Sequence, residues 1–81
     1  MNNELQAIDR YNHMRDTIRM QLLMGWQVSL YKPLNNITGF PNVSSHDFDL
    51  LKDELEDYVK IPHSPVYKTG VEGKTITYQT R

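Results

Sequence analysis

Three histidines, His13, His46 and His63, and ten carboxylates are the groups in this chain that could ligate a metal or move a proton. His46-Asp47-Phe48-Asp49 looks superficially like a ligand cluster. On a helix, however, adjacent residues point about 100° apart, and no His pair stands at i, i+3 or i, i+4 as helical metal motifs require. Asp9, His13 and Asp16 would share a helix face, an arrangement that solvated charge pairing explains as well as ligation does. Nucleophilic catalysis needs a Ser or Thr with a positioned base and an oxyanion donor, and no Gly-x-Ser-x-Gly turn or similar setting occurs. Cysteine is absent, which removes disulfides, thiolate metal sites and cysteine nucleophiles. Gly39, the single glycine of the segment 34–43, is too little for a loop that cradles phosphate. The sequence therefore implies neither an enzyme nor a cofactor.

What remains is charge. Six of the ten carboxylates fall between residues 47 and 57. At about 100° per residue, Phe48, Leu51, Leu55, Tyr58 and Val59 lie within one arc of roughly 100°, while Asp49, Asp53, Glu54, Glu56 and Asp57 lie outside it. The segment 44–59 thus reads as an amphipathic helix with Ser44 or Ser45 as N-cap, Asp47 three residues on in an approximate capping box, and Ile61-Pro62 as its end. Capping and the helix dipole account for Asp47 and Asp49, but not for carboxylates near the negative end of the helix.

Other elements must position that helix. Residues 4–24 contain no Gly or Pro and predict a first helix that stops at Gly25. Ala7, Tyr11, Met14, Ile18 and Leu22 form its apolar arc, with Ile8 at the edge, Leu5 and Leu23 further round, and Glu4, Arg15 and Arg19 on or beside the same side. The arginine stems would cover the core edge with their guanidinium groups in water. Met14, Met20 and Met24 read as core filler; an exposed Met and Tyr stripe would instead favour self-association. The alternation in 26–31 predicts a strand with Trp26, Val28 and Leu30 facing the core, ended by Lys32-Pro33. Residues 34–43 read as a loop or one short helical turn pinned by Ile37 and Phe40. Two β-rich runs around Gly70-Val71-Glu72-Gly73 predict a hairpin. Pairing Thr69 with Lys74 would put Tyr67 opposite Ile76 and on one face with Tyr78.

The expected architecture is a single α+β domain over 1–81, with two helices packed on a small antiparallel sheet of one strand plus the C-terminal hairpin. The order helix, strand, helix, hairpin resembles a winged helix-turn-helix in topology, with 44–59 in the place of the recognition helix and 65–79 in that of the wing. That resemblance implies a nucleic-acid regulator contacting phosphates through Arg15, Arg19, Lys68 and Lys74. Yet the helix in the reading position has one lysine against six carboxylates and would be repelled by phosphate, so nucleic acid is disfavoured as a partner there.

The reading favoured by the charge pattern is a small protein-binding regulator or inhibitor. It would engage a basic protein surface through Asp49, Asp53, Glu54, Glu56 and Asp57, with Tyr67 and Tyr78 of the hairpin as aromatic anchors. The formal charge of −1 gives no global attraction to nucleic acid or to an anionic membrane. No apolar run reaches the roughly 20 residues of a membrane span. Without cysteines or a signal peptide, a cytoplasmic setting is expected.

Overall fold

The computed structural model describes residues 3–81, and the side chains of all of these except 3–5 and 71–72. The expected placement of Glu4 and Leu5 falls outside the described side chains. Helix α1 spans Asn3–Leu23. It ends in a Schellman motif: Gly25, at φ +81°, donates to the Leu22 carbonyl, and the Trp26 N–H reaches back 2.9 Å to the Gln21 carbonyl. The left-handed conformation that closes this motif suits glycine, which has no Cβ to obstruct it.

That closure explains one correction. Trp26 is committed to the helix end, so strand β1 begins later, at Val28–Tyr31. Val28 and Leu30 face the core as expected, but Trp26 stands outside it, 55% exposed.

A 3₁₀ turn over Lys32–Leu34 follows, with Pro33 in its first turn and Asn35 at φ +49° as its C-cap. The chain then doubles back as a short strand, β2, Asn36–Ile37, whose two residues pair with Tyr31 and Leu30. The segment expected to be loop therefore supplies a fourth strand. Two residues have no periodicity to read. Ile37 does pin the segment, being buried, and Phe40 packs against the core.

Helix α2 spans Ser45–Lys60. Ser44 is its N-cap, its Oγ accepting from the Asp47 N–H at 3.2 Å. Ser44→Ala should lower stability by about 1 kcal/mol in a denaturant melt, the usual cost of leaving such an N–H without its cap. The reciprocal half of a capping box, from the Asp47 carboxylate, does not form among the described residues.

Strands β3 (Val66–Glu72) and β4 (Thr75–Thr80) form the hairpin. Its register differs from the expected one. Glu72 pairs with Thr75, so the loop is only Gly73-Lys74, and Tyr67 lies opposite Gln79. A bulge between Lys68 and Gly70 absorbs one extra residue and changes which side chains share a face. Tyr67 and Tyr78 consequently point to opposite faces, while Val66 joins Ile76 and Tyr78 on the core side.

The sheet order is β2-β1-β4-β3, antiparallel throughout. α1 lies over β1 and β4 and α2 over β3, all on one face of the sheet. Met14, Ile18 and Leu22 of α1 meet Phe48, Leu51 and Leu55 of α2 over Val28, Leu30, Ile37 and Tyr78. The other face has no helix. It carries Ser29, Tyr31, Thr75, Thr77 and Gln79, with a Ser29–Thr77 hydroxyl pair at 3.0 Å across the strands. Such a two-layer arrangement requires strands that alternate apolar and polar.

Candidate functional site

The acidic residues of α2 divide into two groups. Asp49, Asp53 and Asp57 recur every four residues, form one exposed stripe and take part in no ion pair among the described residues. Glu54 and Glu56 are half-buried and internally engaged. Glu54 accepts from Arg19 Nη2 at 2.9 Å, while Arg19 Nε donates to the Tyr58 hydroxyl at 2.6 Å. Arg19 is thereby held across the two helices, and its pKa is raised, chiefly by the Tyr58 hydrogen bond, which outweighs desolvation, with smaller contributions from the charges of Tyr58 and Glu54. Burial raises the Tyr58 pKa, with the Arg19 hydrogen bond opposing it.

Glu56 Oε1 accepts from the Tyr78 hydroxyl at 2.6 Å and pairs with Lys68 Nζ at 2.8 Å. Burial alone would raise its pKa. The Lys68 and Tyr78 hydrogen bonds, together with the charges of Lys68 and Lys60, outweigh that and hold it below the ordinary range. Glu56 therefore ties α2 to the hairpin, a structural role, and little of it is presented to a partner.

Of the two tyrosines expected as surface anchors, Tyr78 is not one: its exposure is 0%. It sits on a central strand beneath both helices, so its ring completes the core while Glu56 satisfies its hydroxyl. Tyr67 is half-buried on the opposite face, with the Arg81 guanidinium 5.0 Å from its ring centre.

The cations that the winged-helix resemblance nominates are mostly committed. Arg15 pairs with Asp16 at 3.2 Å, Arg19 with Glu54, and Lys68 with Glu56. Lys74, in the hairpin loop, is exposed and joins no ion pair among the described residues.

A second surface is one that the sequence offered only as the alternative to core filler. Met20, Leu23, Met24 and Trp26 are all exposed at the end of α1, Leu23 by 81%. Of Met14, Met20 and Met24, the reading as core filler holds for Met14 alone, because Met20 is turned away from the core arc of α1 and Met24 follows the last residue of that helix, and both are exposed. The available signal was apolar residues continuing around the helix beyond its core arc up to Gly25. The end of this surface meets α2 and β3, where Leu22, Leu23, Tyr58, Pro65 and Val66 line a shallow apolar groove with Arg19 and Thr80.

Among the described residues, no group of three or more His, Asp or Glu side chains is disposed to hold a metal ion, and no helix is long and apolar enough to cross a membrane. Comparison with protein-family models, with curated proteins and with solved structures finds no match for the chain.

Proposed function

We infer that this protein is a non-enzymatic binding module for another protein. The observation that carries this reading is the cluster of Met20, Leu23, Met24 and Trp26 exposed together at the end of α1, whereas the other exposed large apolar residues, Ile8, Tyr31, Leu34, Leu50 and Ile61, fall in other segments of the chain. Adjacent exposed apolar residues that include Trp and Met are typical of the desolvated centre of a protein interface. Both helices end on the same side of the molecule, as the Arg19–Tyr58 bond and the groove lined by Leu23 and Tyr58 require. Asp49, Asp53 and Asp57 supply unneutralised charge on the second of those helices. A partner with a basic surface is attracted to that stripe, and its apolar residues are covered by the end of α1.

The experiment is affinity capture from the native cellular context with three tagged chains: wild type, Asp53→Lys with Asp57→Lys, and Leu23→Ser with Trp26→Ser. All four substituted positions, Asp53, Asp57, Leu23 and Trp26, are exposed and lie outside the core, so circular dichroism should be unchanged. A partner held by wild type should be lost from both variants. A partner retained by both would overturn the reading.

A further inference from the structure

A cavity of about 470 Å³ opens between the first half of α1 and the segment that leads into α2. Its size falls within the roughly 300–1,000 Å³ usual for small-ligand sites. Met14, Phe40, Pro41 and Val43 give it apolar walls. The wall formed by the loop is held by backbone bonds: the Asn42 N–H donates to Asn36 Oδ1 at 2.9 Å, and the Val43 N–H to the Asn35 carbonyl at 2.9 Å. His13 stands edge-on to Phe40, with ring centres 6.0 Å apart.

Two opposite charges line this space without meeting. Asp47 is only 7% exposed, the one charged residue in the described core. No described residue donates a hydrogen bond or a cation to its carboxylate; it is the Asp47 backbone N–H that donates to Ser44 Oγ. Arg10 lines the same cavity from α1, is exposed, and forms no ion pair with it among the described residues. Its oxygens are not fully enclosed, since the buried side-chain polar atoms left without a partner are Gln21 Oε1 and Thr80 Oγ1 among the described residues; a ligand ammonium would exchange the remaining water for a charge-assisted hydrogen bond. The first turn of α2 supports this charge through the helix dipole, and the exposed Arg10 offers the opposite charge on the other side of the same space.

We propose that this cavity binds a small zwitterion with an apolar body, of the class of an aromatic or branched α-amino acid. The ligand's ammonium group pairs with Asp47, its carboxylate with Arg10, and its side chain lies against Phe40, Met14 and Val43. A ligand carrying both charges neutralises both residues at once; an amine alone would meet Arg10, and a carboxylate alone would meet Asp47. This site lies apart from the acidic stripe and the end of α1, so it stands or falls independently of the protein-binding reading.

The test is isothermal titration of the intact protein with L-phenylalanine, with phenethylamine, which lacks the carboxylate, and with 3-phenylpropionate, which lacks the ammonium. L-Phenylalanine should bind, and each truncated ligand should bind about tenfold more weakly or worse, the scale of one charged hydrogen bond. Arg10→Met should erase the advantage of L-phenylalanine over phenethylamine. Asp47→Asn should erase its advantage over 3-phenylpropionate. Should Asp47→Asn fail to fold, the ligand series on wild type and the Arg10→Met comparison still decide the matter. The proposal is overturned if L-phenylalanine gives no binding heat up to its solubility limit, or if the three ligands bind wild type equally.

Discussion

Truncating Tyr78 to alanine should bring this protein to the edge of unfolding at room temperature. The side chain is fully enclosed, on a strand paired on both sides, opposite Val28 of β1 and Lys68 of β3. Removing a buried aromatic ring costs about 3–5 kcal/mol, while a domain of this length has about 4–12 kcal/mol in total. Tyr78→Phe separates the hydroxyl from the ring. It leaves Glu56 with Lys68 as its remaining donor, and a loss near 1.5 kcal/mol is expected, the low end for a hydrogen bond to a charged group, because Glu56 keeps some access to water. The pH dependence tests the same bond. Glu56 has a pKa below its ordinary 4.5, so its contribution is present above that value and fades as pH falls through the folded one. Burial and then Glu56 raise the Tyr78 pKa above its ordinary 10.0, so the tyrosine's contribution is present below that value and fades as pH rises toward the folded one. The gap between wild type and Tyr78→Phe in urea midpoints should therefore be widest between about pH 5 and 9 and narrow on both sides. A gap that is flat with pH, or no gap at all, would show that the bond contributes nothing to stability.

Tyr78 also marks the limit of what the chain reveals before it folds. Local pattern was sufficient for α2, whose apolar arc and N-cap Ser44 are where the spacing and the cap residue put them, and for Val28 and Leu30 on β1. It was insufficient where one local choice displaces another. A helix-closing motif at Gly25 took Trp26 out of the strand, and a bulge near Thr69 set the hairpin faces, although two glycines within four residues left the position of the turn open. The site was harder still. Nothing near Glu54 in sequence distinguishes it from Asp53, because its partner Arg19 is 35 residues away and meets it only once the two helices pack on the same sheet face. The acidic helix was legible as a composition. Which carboxylates remain available to a partner was decided by tertiary packing.

A substitution series along one turn of α2 should display that division as a staircase in stability. Asp53 is exposed and unpaired among the described residues, so Asp53→Ala should leave the urea midpoint unchanged. Glu54→Ala releases a partly exposed bridge to Arg19 and should cost at most about 1 kcal/mol. Leu55 is 1% exposed beneath the sheet, and Leu55→Ala should cost about 2–5 kcal/mol, the larger values following if the cavity fails to close. Glu56→Ala strips the acceptor from the enclosed Tyr78 hydroxyl and should cost about 1–3 kcal/mol. Four consecutive residues thus give almost nothing, little, much and a moderate loss, a sequence of effects that composition alone cannot produce. The same series selects the probes of function. Reversing Asp53 or Asp57 changes the charge a partner meets while leaving the fold alone. Changing Glu56 alters the tie between helix and hairpin, so a loss of binding there would report on the fold instead of the surface. If Asp53→Ala proves as damaging as Leu55→Ala, α2 is turned differently on the sheet, and the exposed stripe is not the one presented to a partner.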